Sequence, residues 1–225
     1  MELLAPGVWQ LHGWPRHWLN VYLLDDVLVD AATRWASGWL LKQLSGRRLS
    51  AVALTHCHPD HQGLAALLCR KFRVPLACHA GDVPVMEGRR PMQPRSSSVR
   101  LFGPLFAGPP CPVGRVLQDG DEVGGFRVVH AAGHTPGHVF YFRASDRVAI
   151  AGDVLANMHL LSGRVGLREP PSVFSVDPQQ NRLSMRKLLA LEPYMVCFGH
   201  GPPLRDLALL ERFVADRLDT RWASG

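Results

Sequence analysis

Within six positions the chain carries His56, His58, Asp60 and His61, in the run Thr55-His56-Cys57-His58-Pro59-Asp60-His61-Gln62-Gly63. Imidazole nitrogen and carboxylate oxygen are the donors that zinc, iron and manganese take. In extended backbone, residues two apart project to the same side, so His56 and His58 can reach one ion together. Pro59 ends the extended run, and the turn that follows aims Asp60 and His61 elsewhere. Cys57 lies between the two histidines, points to the opposite side, and reads as a packing residue. Three later segments end in similar groups. His134 stands in the Gly/Pro turn Gly133-His134-Thr135-Pro136-Gly137-His138, Asp153 follows Ala151-Gly152, and His200 lies between Gly199 and Gly201. Each motif alone is common in turns. Together, behind strand-like runs, they point to a metal centre, because loops at strand ends are where a rigid scaffold presents reactive groups.

Each of these groups needs an element to carry it. Leu49 to Leu54 is an apolar run without charge, as a buried strand requires. Leu64, Leu67 and Leu68 then give an amphipathic helix ending near Lys71. Val8 to His12, Val21 to Leu24, Val27 to Asp30 and Val74 to His79 read as strands. So do Phe126 to His130, His138 to Phe142, Val148 to Ala151 and Met195 to Phe198. Helices are expected around Trp39 to Leu44 with Gly46 as the stop, from the N-cap Asp177-Pro178 to about Leu191, and over Leu204 to Leu218. From about 83 to 112 the chain holds Pro84, Pro91, Pro94, Pro104, Pro109, Pro110 and Pro112 with Ser96-Ser97-Ser98. That density of breakers predicts an irregular insertion loop, of the kind that forms a lid or binding loop. Two strand-rich stretches, each with helices, predict one layered α/β domain over 1–225, with helices outside paired sheets. The hexapeptide Thr33 to Gly38 recurs as Thr220 to Gly225 and is too short to define a structural repeat.

Composition removes several classes. The 225 residues are 47 % hydrophobic and 20 % charged, a globular rather than a disordered balance. No apolar run reaches the roughly 18 residues of a membrane-spanning helix. The start, Met1 to Gly7, has neither the basic nor the apolar region of a secretory signal. Five cysteines without a CxxC pair suit reduced thiols, so a cytoplasmic protein is expected. The net charge of +6 comes from scattered arginines rather than a basic run, and no nucleic-acid partner is expected.

The run HxHxDH at 56–61, followed in order by His134, Asp153 and His200, resembles the metallo-β-lactamase-fold metallohydrolases over nearly the whole chain. The resemblance implies an α/β (α+β) fold, a four-layer αββα sandwich of two similar halves. It also implies a ligand set. His56, His58 and His134 would hold one metal, Asp60, His61 and His200 a second, and Asp153 would bridge both. His138 is not a ligand in that pattern and reads as structural. Two divalent ions, most simply zinc with iron or manganese as alternatives, would share a water and lower its pKa toward about 7. The expected reaction is hydrolysis of an ester, thioester or lactone carbonyl by that bridging hydroxide, with Asp60 as ligand and proton shuttle.

Alternatives on the same fold are a mononuclear-iron persulfide dioxygenase using His56, His134 and Asp153, a phosphodiesterase, and a β-lactamase. A metal-sensing or storage protein is the non-enzyme reading. The absent signal disfavours a periplasmic β-lactamase, and the 25 residues after His200 are too few for the helical domain of glyoxalase II enzymes. Trp14, Trp18, Met158 and His159, with Leu160, Leu161, Phe102, Leu105 and Phe106, are the expected apolar wall for a small-molecule substrate. Arg89, Arg90 or Arg168 would meet an anionic group on it. The same apolar surface would also serve a homodimer.

Overall fold

The protein is described here by a computed structural model, which covers residues 1–219. The second copy of the hexapeptide, Thr220 to Gly225, lies outside the described residues. The chain opens with β1 (Glu2–Ala5), β2 (Val8–His12), β3 (Asn20–Leu24) and β4 (Val27–Val29), an antiparallel meander. It continues through α1 (Ser37–Gln43), β5 (Ala51–Ala53), α2 (Pro59–Gln62), α3 (Ala65–Phe72), β6 (Leu76–His79), α4 (Val83–Met86), α5 (Ser97–Phe106) and β7 (Arg115–Leu117). Strands β4 to β7 pair in parallel, each step carrying helix on the way. These seven strands form one sheet in sequence order.

The second half holds β8 (Glu122–Val123), β9 (Phe126–His130), β10 (Val139–Arg143) and β11 (Val148–Gly152). A two-stranded ribbon follows, β12 (Ala156–Met158) with β13 (Val165–Arg168). After it come a 3₁₀ turn (Ser172–Phe174), α6 (Pro178–Leu189), β14 (Met195–Phe198) and α7 (Leu207–Asp219). The second sheet has the order β14-β11-β10-β9-β8, with β14 parallel to β11 across α6.

The period-2 pattern of the strands sorts their side chains into separate apolar layers. Val21 and Leu23 of β3 face α1 and α3 in one outer core. Tyr22 and Leu24, one residue out of step, meet Val139, Tyr141, Val148 and Ile150 between the sheets. Phe140 and Phe142 of β10 and Ala149 and Ala151 of β11 turn outward onto α6 and α7. Three cores between four layers make the αββα sandwich.

The segment from 83 to 112 differs from the irregular loop that its prolines predict. It contains α4 and α5 and no strand. Pro84 is accommodated in the first turn of α4, where its missing N–H breaks no helical bond. Ser96 caps α5, its Oγ accepting from the Val99 N–H at 3.2 Å. Strands β1, β7, β8, β12 and β13 are short or exposed and carry little apolar alternation, which is why the sequence pattern passes over them.

Parallel pairing places the C-terminal ends of β4, β5 and β6 at one edge of the first sheet, and those of β11 and β14 at one edge of the second. Hydrogen bonds join these two edges. Val139 N–H donates to the Thr55 carbonyl at 2.8 Å and Asn20 N–H to the Gly199 carbonyl at 3.0 Å. The buried Tyr141 and Tyr22 hydroxyls donate to the carbonyls of Leu54 and Phe198 at 2.6 and 2.7 Å. The strands that lead to His56 and His200 are thus pinned across the sandwich.

Candidate metal centre

The first candidate ligands leave the end of β5. A proline pushes the residue before it out of the helical region, and His58 is extended at φ −77°, ψ 159°. His58 therefore caps α2 with Pro59 at its first position. The His56 and His58 rings lie on one side with centroids 4.7 Å apart. The N–H groups of His61 and Gln62 donate to the His58 carbonyl at 3.0 and 2.9 Å. That turn brings the His61 ring to 4.0 Å from His56. Cys57 faces the other way, in the outer core with α3.

The remaining candidates arrive from the second sheet. The turn between β9 and β10 places His134 with its ring 4.4 Å from His58 and 4.8 Å from His56. Asp153 follows β11 and its N–H donates to His138 Nε2 at 3.0 Å. His138 is thus a buried support for Asp153, neutral because burial, against the upward pull of Asp153 and with the help of its histidine neighbours, brings it down to about 3. His200 follows β14, and Gly199 before it has no room for a side chain. A Cβ there would stand 2.2 Å from Asp153 Oδ1 and 2.6 Å from His61 Cε1.

Seven side chains separated by up to 144 positions therefore converge. Three overlapping sets each bring their ligand atoms within 4.8 Å of one another: His56, His58 and His134; His56, His61 and Asp153; Asp60, His61 and His200. Asp153 stands between the outer two, its Oδ2 3.7 Å from His134 Nε2 and 3.3 Å from His200 Nε2. Asp60 Oδ2 lies 3.3 Å from His200 Nε2. Among the described residues, His56 Nε2, His61 Nε2, His134 Nε2 and Asp153 Oδ1 are buried without a hydrogen-bond partner. Orphaned buried polar atoms cost about 1–3 kcal/mol each. Four that face one another are what a bound cation satisfies, so the residues fit a metal.

The opposite nitrogen of each ring is fixed by a partner, which sets the tautomer. His61 Nδ1–H donates to Asp30 Oδ2 at 2.8 Å, His134 Nδ1–H to Ser175 Oγ at 3.1 Å and His200 Nδ1–H to the Trp18 carbonyl at 2.5 Å. His56 Nδ1–H donates to Thr55 Oγ1 at 3.1 Å, and that hydroxyl donates to Asp30 at 2.9 Å. His58 differs: its Nε2–H donates to the Gln93 carbonyl at 2.7 Å, leaving Nδ1 for the centre.

The electrostatics divide the centre. Burial, then the rings of His61, His58 and His134, holds His56 well below the ordinary histidine value. Burial and His58 do the same to His134. For His200 burial also acts downward, but Asp153 and Asp60 outweigh it and push it up to about 10. His61 is raised in the same way, by Asp153, Asp30 and Asp60 against burial. Burial would raise Asp153, yet His200 and His61 hold it well below the carboxylate range. The first set thus offers neutral nitrogen lone pairs, whereas a cation entering the second displaces protons.

Residues 20–200 match the profile of the Metallo-beta-lactamase superfamily. The chain belongs to the metallo-β-lactamase superfamily. It is 30 % identical to the probable metallo-hydrolase YflN of Bacillus subtilis (strain 168), over 89 % of this chain and 86 % of that one. It is 32 % identical to a hydroxyacylglutathione hydrolase of Acidiphilium cryptum (strain JF-5), over 81 % of this chain and 63 % of that enzyme. Among solved structures it is similar to the metallo-beta-lactamase family protein TTHA1429 of Thermus thermophilus. There the TM-score is 0.72 at 27 % identity, over 96 % of this chain and 81 % of that one. TTHA1623, solved in a di-iron-bound form, matches at TM-score 0.61 and 29 % identity over 94 % and 96 % of the two chains. The protein is accordingly a metal-dependent hydrolase of this superfamily, with the fold its motifs imply.

The other residues singled out in the sequence differ widely in exposure. Trp14 is 92 % exposed, and Met158 is buried within β12. Trp18 is half-buried and its carbonyl accepts the His200 Nδ1–H. His159 lies just beyond β12, its Nδ1 accepting from the Ser162 N–H at 3.2 Å. Arg89 is paired with Glu87 at 2.6 Å. No helix among the described residues is long and apolar enough to cross a membrane. The sequence reading does not single out Asp30, Ser175, Tyr22 or Tyr141. Asp30 carried a usable signal, since it follows the apolar run Val27 to Val29 as Asp153 follows Val148 to Ala151. The other three act through contacts between distant segments and leave none.

Proposed function

We propose that this hydrolase is a cytoplasmic binuclear enzyme that cleaves an ester, thioester or lactone carbonyl of a small apolar substrate. One observation carries the reading: four buried polar atoms without a hydrogen-bond partner, from three histidines and Asp153, face one another beside a single more open carboxylate. The side chain of Asp60 is 30 % exposed, whereas that of Asp153 is 10 % and those of His61 and His200 are 2 % and 5 %. Two divalent cations, zinc by preference for this nitrogen and oxygen set with iron or manganese as alternatives, would supply an activated water at neutral pH and polarise the carbonyl.

His56, His58 and His134 would hold one cation, and Asp60, His61 and His200 the other, with Asp153 shared. Asp60 alone combines contact with the second set and access to solvent, so it carries the proton to the departing oxygen or sulfur. His138 stays neutral and keeps Asp153 in register. Exposed Leu101, Phe102, Leu105 and Phe106 on α5, with Val173 and Phe174 of the 3₁₀ turn, offer an apolar rim for the acyl part. That turn leads directly to Ser175, the partner of His134. The name of the Acidiphilium relative supports acyl chemistry over phosphoryl chemistry. The free cysteines suit a reducing compartment.

Elemental analysis of chelator-free protein, followed by a panel of lactones, thioesters, esters and phosphodiesters, tests the reading. Two metal equivalents and turnover confined to carbonyl substrates are expected. One iron with oxygen uptake, or turnover of phosphodiesters alone, would overturn it.

A further inference from the structure

One buried carboxylate near the centre is not among the candidate ligands. Asp82 is 1 % exposed and sits at the start of α4. Its Oδ2 accepts from the Cys57 N–H at 3.0 Å and from Thr135 Oγ1 at 2.8 Å, and its Oδ1 accepts from the Gly137 N–H at 2.8 Å. Cys57 lies between His56 and His58. Thr135 follows His134, and Gly137 precedes His138. One side chain therefore ties the loop after β5 to the turn between β9 and β10. The absence of a side chain at Gly137 makes the approach possible: a Cβ there would lie 2.4 Å from Asp82 N and 2.7 Å from its Oδ1.

The side-chain contacts of Asp82 fall on the two loops that carry His56, His58 and His134. His61 is held instead by Asp30, and His200 by the Trp18 carbonyl. We propose that Asp82 is the positioning residue of the His56–His58–His134 set alone, a clamp on the backbone that aims those three rings. The assignment rests on reading the two sets as metal sites. Removing the clamp leaves the ring partners of His61 and His200 in place. It frees two buried N–H groups and a hydroxyl that have nowhere else to donate, and the two loops then separate to reach water.

The test is titration of metal-stripped protein with Co²⁺, followed by its visible absorption, and with Zn²⁺ against a chromophoric chelator. Wild type should take two equivalents. Asp82→Ala should weaken one of them by about 10–100-fold, the range of partners that orient a ligand without touching the metal, and leave the other nearly unchanged. Asp82→Asn should fall between, because its amide oxygen keeps one of the two acceptor positions. Gly137→Ala, which wedges the clamp open from the other side, should reproduce the alanine result and carries the test if Asp82→Ala fails to fold. In the metal-free chain, hydrogen exchange at the Cys57 and Gly137 amides should quicken in Asp82→Ala. The Ala31 amide, bonded to the His61 carbonyl, should not change. Equal weakening of both equivalents, or of neither, in these variants overturns the clamp. A wild type that takes up no metal overturns the metal reading itself, and the clamp with it.

Discussion

Every ring of the centre has its own partner, but His56, His58 and His134 also sit on backbone gripped from behind by one side chain, whereas that side chain makes no bond to the segment of His200 or to the ring of His61. On the first side Asp82 bonds two loops to each other, and the rings follow the loops. On the second side Asp30 reaches the His61 imidazole itself and the Trp18 carbonyl reaches that of His200. The charge differs in parallel. Burial among other rings keeps the first side neutral, while carboxylates make the second a protonated, paired cluster. On the proposed binuclear reading, a cation would bind the first side by lone pairs already free, and the second in exchange for protons. Two such sites sharing Asp153 would then be filled and emptied on different terms.

Asp153 is where that difference disappears, so its loss should be the most damaging. Asp153→Ala should lower kcat/KM by roughly 100-fold or more, beyond the about 10–100-fold typical of a partner one step removed from the metal, and weaken both equivalents. Steady-state kinetics beside elemental analysis would read this, and near-normal turnover would break the assignment of Asp153 as the shared group.

Asp30→Ala sharpens the contrast from the other side. It should reduce affinity most, by about 10–100-fold, for the equivalent that Asp82→Ala spares, with a smaller loss at the other because Asp30 also takes the Thr55 hydroxyl behind His56. A double variant that binds no worse than either single one would mean that both carboxylates serve a single site. The smallest effect is expected away from both sides. Asp177 caps α6, its Oδ1 accepting from the Gln180 N–H at 2.9 Å. Asp177→Ala should cost about 1 kcal/mol in denaturant unfolding and leave metal stoichiometry untouched.

How much was legible in the sequence depended on how local the cause was. The turn at Pro59, the extended His58 before it and the cap at Asp177 follow from neighbours within four residues, and each stands in the structure where the pattern places it. The helices α4 and α5 were hidden among prolines, because breaker density measures composition and not position in a helical turn. Pro84 falls in a first turn, where it is harmless.

Residue type and spacing alone determined that the chain holds seven metal-type donors in the order of a known superfamily, on strands whose alternation calls for layers. Folding decided which donors meet. It also recruited Asp30, Asp82, Ser175 and two tyrosines as supports, and left Trp14 to solvent. The reason is physical: a ligand's identity is carried by its own side chain, but its aim is set by partners from segments that only the packing of two sheets brings together.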